Sequence, residues 1–275
     1  MTSEAKLIDF HVHADPSFWA RKHDVIELAK RYRDAGMDGF VLKSHFGSTY
    51  AQTTLTSNHV SDINLYPSLT LNTFTGGFNP SAVDLALEQD ISVIWLPTFT
   101  AANHETDRNF PFPRTLTATD ESGALRPEVE EILEIISDAD RTVTVGNGHL
   151  GPDETEAIFD RIIDADLDIN FMITHPDSYD YFTIEDQVEL SERGAYIEKC
   201  YRSVTTNRSS IEEMAESIAA IGSSRCVLST DHGQPDYISP PQALLEFSEL
   251  LEEHGVSPAE VTEMGYEVPS KLLTN

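Results

Sequence analysis

Basic residues are scarce in this chain: 18 Lys plus Arg stand against 47 Asp plus Glu, a formal net charge of -29 over 275 residues. A surface of that sign repels nucleic acid phosphates and anionic lipid headgroups, so neither is an expected partner. The acids are dispersed, as at Glu128, Glu130, Glu131, Glu212 and Glu213, and not gathered in a tail. They read as a hydrated acidic surface of the kind found in proteins from salt-loving microbes. Cysteine is nearly absent, and Cys200 and Cys226 lack metal-finger spacing, which fits a reducing cytoplasm. No run approaches the roughly 18 apolar residues needed to span a membrane, and residues 1–6 carry no apolar signal segment. A soluble, cytoplasmic protein is expected.

A glycine-rich phosphate loop after the first strand-like run is also missing, which argues against an open doubly wound sheet. What is present is a steady alternation of short β-branched runs with helix-periodic segments. Strands are expected at residues 7–13, 39–43, 63–71, 91–96, 142–146, 169–174, 195–200 and 226–230. Helices are expected between them at 24–35, 80–89, 127–138, 153–165, 184–193, 210–221 and 241–254, with a weak one around 50–58. Asn79-Pro80 and Gly151-Pro152-Asp153 supply helix starts. Eight such units in 275 residues predict an α/β fold, a single (β/α)8 TIM barrel domain over 1–275. The long stretch 99–126, with Asn103-His104 and Phe110-Pro111-Phe112-Pro113, follows the fourth strand and is a candidate lid or substrate wall. Residues 256–275 are expected to form terminal helices on the barrel.

Ligand-type residues gather at the strand ends. The first strand finishes in His11-Val12-His13, whose alternation puts both imidazoles on one face. The fifth leads to His149, the sixth to His175 and the eighth to Asp231. In a barrel all of these converge at one mouth, where a divalent ion would find nitrogen and carboxylate donors. Lys43 and His45, after the second strand, share a face aimed at the same mouth. A buried lysine needs a partner, a depressed pKa or a chemical modification, and Lys43 is read first as an electrostatic or substrate-binding group. His45, His104 and Glu198 are candidate substrate contacts, although the register that would turn Glu198 rather than Lys199 inward is left open. Asp177 and His232 are further mouth-side candidates.

This order of HxH, His, His and Asp along eight strands resembles the amidohydrolase superfamily of metal-dependent hydrolases, over nearly the whole chain. The resemblance implies that His11, His13 and Asp231 bind metal and that His149 and His175 bind metal or polarise the substrate. It also implies that His175 can polarise the substrate and that Asp231 moves the proton of the attacking water. Many members carry a bridging lysine or glutamate after the fourth strand, yet here that strand ends Trp95-Leu96-Pro97-Thr98, so one ion is expected rather than two. Zinc suits such a donor set, as do iron, manganese and cobalt. The expected activity is attack of an activated water on an amide, lactone or ester carbonyl of a small molecule, with Asp231, His175 and Lys43 as catalytic groups. A decarboxylase of the same superfamily and a non-catalytic metal-binding barrel are the alternatives. A homo-oligomer paired through the outer helices is compatible with either.

Overall fold

The computed structural model describes residues 6–104, 111–178 and 182–273. Its strands are β1 (Ile8–Val12), β2 (Gly39–Leu42), β3 (Asn64–Tyr66), β4 (Ser68–Thr70), β5 (Val93–Trp95), β6 (Val143–Gly146), β7 (Ile169–Ile173), β8 (Tyr196–Cys200) and β9 (Cys226–Ser229). β1 to β3 pair in chain order, as do β4 to β9, and every pairing is parallel. β3 and β4 are the two halves of the expected third strand, parted at Pro67, which has no N–H to give a ladder. The Pro67 carbonyl still accepts from Ser92 N at 2.9 Å. First and last strands meet where Asp231 N donates to His11 O at 2.8 Å and His13 N donates to His232 O at 2.9 Å. The architecture is the α/β barrel that the alternation of elements predicts.

The helices are α1 (Val25–Asp34), α2 (Tyr50–Ser57), α3 (Pro80–Glu88), α4 (Pro127–Ser137), α5 (Pro152–Asp164), α6 (Ile184–Glu192), α7 (Tyr201–Thr205), α8 (Ile211–Ile221), α9 (Pro240–Glu253), α10 (Pro258–Thr262) and α11 (Val268–Leu273). Their starts follow local chemistry: Asp24 accepts from Glu27 N, Asn79 accepts from Ala82 N, and Ser210 with Glu213 forms a capping box. The single turn α7 was not apparent from periodicity, being too short to show one. Among the described residues no helix is long and apolar enough to cross a membrane.

Three apolar layers hold the molecule together. Two lie between strands and outer helices, one around Leu69, Ile94, Leu133 and Phe171 and the other around Val12, Leu28, Leu228 and Phe247. The third fills the barrel with Phe10, Val41, Val93, Trp95, Met172, Tyr196 and Val227, and Val268 and Leu272 of α11 pack against it. The terminal helix therefore closes the floor of the barrel, with Leu272 O accepting from Thr144 Oγ1 at 3.1 Å. With the floor sealed, the open end is the one carrying the strand C-termini.

Candidate metal centre

Strict alternation would not place both Phe10 and His11 inside. The β1–β2 register slips between Asp9 and Val12, and this bulge turns Phe10 into the barrel floor and His11 into the mouth while Val12 faces α1 and α9. His11 lies 5.0 Å, ring to ring, from Trp95, and His13 lies 5.1 Å from His11. Asp9, on the outer side, accepts from Tyr32 Oη at 2.5 Å and from Thr230 Oγ1 at 2.6 Å, tying β1 to α1 and to the strand that delivers Asp231. Burial raises the Asp9 carboxyl to about 6, against the pull of those hydrogen bonds.

The two histidines are oriented from behind. His11 Nδ1 donates to Glu198 Oε1 at 2.9 Å, and His13 Nδ1 donates to the Lys43 carbonyl at 2.9 Å. Both partners are acceptors, so Nδ1 carries the proton in each ring and Nε2 presents a lone pair. Both Nε2 atoms face Asp231 Oδ1, at 3.3 Å from His11 and 2.9 Å from His13. Three acceptors thus converge with their donor atoms within 4.8 Å of one another. Protonating the imidazoles would relieve the clash, but burial opposes it: His13 is pushed down to about 3, and His11 lies well below the ordinary histidine range. Ligand atoms about 2.0–2.1 Å from one ion in a tetrahedral site lie about 3.3 Å apart, so the spacing fits a divalent cation held by His11, His13 and Asp231. The hydrogen-bonded carboxylate behind His11 is the outer support that metal-bound histidines use.

Asp231 adopts a φ of 49° and His175 one of 31°, left-handed conformations held at two residues of the mouth. Gly233 makes the Asp231 turn feasible, because a Cβ there would lie 2.1 Å from His13 O. Burial opposes the Asp231 charge, and the Arg202 guanidinium is among the neighbours that hold the carboxyl well below the usual range. Arg202 Nε stands 3.5 Å from Asp231 Oδ2.

The other expected residues surround this trio. His175 stacks on His11 at 5.8 Å, and His149 lies 5.1 Å from His175; neither belongs to the three-residue cluster. His149 Nδ1 shares a proton with His104 Nδ1 at 2.8 Å, which turns His104 toward His149. His45 stacks on His13 at 4.8 Å, bonds Thr98 Oγ1 through Nδ1 at 2.9 Å, and carries Phe99 on its ring at 3.8 Å. Lys43 is buried with Nζ 4.2 Å from the Trp95 ring centre and without a hydrogen-bond partner among the described residues. Burial lowers it to about 8, while Asp231 and Glu198 pull the other way.

Glu198, Asp177 and His232 each have partners within the protein. Glu198 faces inward, and both its oxygens are engaged, by His11 Nδ1, His175 N and Ser229 Oγ, so it positions the histidines. Lys199 points outward into a buried cluster with Asp177, Gln187 and Ser217, which removes Asp177 from the mouth. His232 stacks on Tyr201 and packs against Tyr237. Trp95 occupies the position where a bridging group was missed, and it fits there because Gly146 has no side chain: a Cβ would lie 2.6 Å from Trp95 Cε3. Residues 105–110 of the long loop, Phe110 among them, lie outside the described residues.

Two mouth residues were missed altogether. Arg21, in the loop after β1, acts electrostatically on His13, His45 and Asp231, and Arg202 is the second residue of α7, which follows β8 directly. Single arginines carry no spacing signal, although the strand-end rule that found Asp231 would have reached Arg202. A hollow of about 590 Å³ lies at the opposite end of the molecule, lined by Tyr66, Pro67, Arg141 and Leu272 among others; none of its lining residues is a histidine.

A family model described as a family of unknown function, DUF6282, matches residues 6–198. No curated protein matches the chain. Among solved structures, an amidohydrolase from Pseudomonas aeruginosa superposes with a TM-score of 0.70 at 11% identity, covering 98% of this chain and 96% of that one. A probable 2-pyrone-4,6-dicarboxylic acid hydrolase from Acinetobacter baumannii, with citric acid bound, gives 0.65 at 14% identity, covering 98% and 100%. A 2,6-dihydroxybenzoate decarboxylase complexed with 2,6-dihydroxybenzoate gives 0.57 at 10%, covering 98% of each chain. At these identities what is shared is the fold.

Proposed function

The chain belongs to that family of unknown function, DUF6282, and from this premise we propose that it is a metal-dependent hydrolase of the amidohydrolase type acting on the carbonyl group of a small molecule. The observation that carries the reading is the meeting of three acceptor atoms, His11 Nε2, His13 Nε2 and Asp231 Oδ1, at a place where only a cation satisfies all three. A divalent ion held there, zinc for preference and one per chain, would supply Lewis acidity and acidify water toward a pKa of about 7. Trp95, packed against His11 where a bridging ligand would stand, supports the single ion.

The chain's own residues divide the remaining work. Asp231 is ionised at neutral pH and 14% exposed, so it can take a proton from water and pass it to a leaving group. Lys43 holds a positive charge in a dry setting against Trp95, where it stabilises negative charge developing on a carbonyl oxygen. His175, lowered to about 4 by burial, stays neutral and is suited to hydrogen bonding with substrate. His149 is placed to assist it or to complete the ion's ligand set. Phe99 and Phe112 of the long loop bring apolar surface to the mouth and support the idea that it walls the substrate from water.

A decarboxylase is the second reading, favoured by the structural likeness to the dihydroxybenzoate enzyme. Zinc-loaded protein screened against lactones, esters and amides is expected to turn over at least one class, with loss in Asp231→Asn and His11→Ala at unchanged circular dichroism. Release of carbon dioxide from aromatic acids, without hydrolysis of any carbonyl substrate, would replace the hydrolase reading by the lyase one. Bound metal with neither reaction would leave a ligand-binding barrel.

A further inference from the structure

The loops around the mouth put six aromatic rings on one side of it. Phe18 and Trp19 come from the loop after β1, Phe46 from the loop after β2, Phe74 from the turn after β4, and Phe99 and Phe112 from the long loop after β5. Their ring centres form one chain of contacts: Phe99 to Trp19 at 5.3 Å, Trp19 to Phe46 at 5.1 Å, Phe46 to Phe18 at 5.3 Å and to Phe74 at 4.8 Å, and Phe74 to Phe112 at 4.6 Å. The inner end of this chain reaches the proposed metal ligand His13, since Phe99 lies 3.8 Å from His45 and His45 lies 4.8 Å from His13. The outer end is open to solvent. Phe18 is 63% exposed and Phe74 37%, and they are the exposed phenylalanines among the described residues. Loop tips in a chain with a net charge of -29 are expected to carry polar residues, so rings from four separate loops meeting beside His13 mark a surface for an apolar ligand.

We propose that this wall receives an aryl group of the substrate, so that the carbonyl compound acted on at the ion carries an aromatic body and not a short aliphatic one. The inference rests on the reading above that this mouth is the substrate site. The wall runs inward to His45 and His13, which suits a ligand whose reacting group lies at the ion and argues against a partner protein seated on the outer surface. Its rings meet at 38° between Phe18 and Phe46 and at 85° between Trp19 and Phe99, so both faces and edges are presented. An incoming aryl ring gains more from such a surface than its buried area alone supplies. His149, His175 and Asp231 stand at the ends of β6, β7 and β9, which leaves the aromatic side for the part of the substrate that does not react.

Hydroxamates grip zinc through two oxygens, so a series of them keeps the head constant while the body varies. Calorimetric titration of the zinc-loaded chain with acetohydroxamate, cyclohexanecarbohydroxamate, benzohydroxamate and naphthohydroxamate tests the wall. Benzohydroxamate is expected to bind roughly tenfold more tightly than acetohydroxamate, the scale of burying part of one ring, and more tightly than the cyclohexane compound. Phe46→Ala and Trp19→Leu are each expected to narrow the ratio of benzohydroxamate to acetohydroxamate affinity by about fivefold. Phe18→Ala, at the most exposed of the six positions and so the least able to disturb folding, is expected to narrow the ratio of naphthyl to phenyl affinity. No aryl preference in the unaltered chain, or ratios unchanged in every folded variant, would overturn the wall. Tighter binding of the cyclohexane compound would overturn the aryl assignment. Zinc content of the same samples, with naphthamide and acetamide as probes that need no metal, separates the two ideas. A chain that holds no zinc yet prefers naphthamide keeps the wall and loses the metal centre; zinc held without any aryl preference does the reverse.

Discussion

An imidazole offers one proton and one lone pair when neutral, and the tautomer is chosen by whichever nitrogen meets an acceptor first. In His11 that choice is made by Glu198, and in His13 by the carbonyl of Lys43. Replacing Glu198 by Gln would let His11 Nδ1 meet an amide that can also donate, and the ring would no longer be fixed with Nε2 bare. Glu198→Gln is therefore expected to weaken metal affinity by about 10–100-fold, read by competition with a chromogenic chelator; unchanged affinity would deny Glu198 its positioning role. His11, His13 and Asp231 were legible in the sequence because strand ends in a barrel share one mouth, and HxH is visible as a spacing. Arg21 and the inward turn of Glu198 were not, since a lone arginine in a loop and the register of a strand buried on both faces leave no pattern, while Arg202 was within reach of the same strand-end rule.

At the scale of elements, the site depends on small irregularities in regular strands. The bulge in β1 sends Phe10 and His11 to the same side, and no reading of period-two alternation contains it. The end of β6 is equally particular: Gly146 leaves room for Trp95, which supports both His11 and Lys43. Gly146→Ala should force that ring aside and cost about 1–3 kcal/mol as an overpacked core, measured by chemical denaturation, with metal affinity falling in parallel. Trp95→Leu in the same chain should recover part of the stability, and an unperturbed Gly146→Ala variant would show that the contact is not tight. Element existence was legible from strand–helix alternation; the split at Pro67, the turn α7 and the docking of α11 under the barrel were not, because each is decided by packing over a distance.

For the molecule as a whole, two electrostatic trends oppose each other with pH. Burial lowers His13 to about 3 and His104, His175 and His232 to about 4, from an ordinary 6.5. As pH falls through 6.5 the unfolded chain takes up protons that the folded chain refuses, so stability present above that pH is lost progressively toward 4. Asp9, raised to about 6 by burial, works the other way as pH falls through that value, but it is one group against four imidazoles. The chelated chain should consequently melt lower at pH 5 than at pH 7; a loss of even 2 kcal/mol corresponds to roughly 4–8 °C. An equal or higher melting point at pH 5 would mean that charge repulsion, not the buried imidazoles, governs acid stability. The central claim, that His11, His13 and Asp231 hold a divalent ion, meets its most direct test in elemental analysis of protein purified without chelator and then offered zinc. One tightly held ion per chain is expected, absent from His11→Ala and from Asp231→Ala variants that remain folded. A folded, unaltered chain that retains no ion, or variants that retain as much as the unaltered chain, would contradict it.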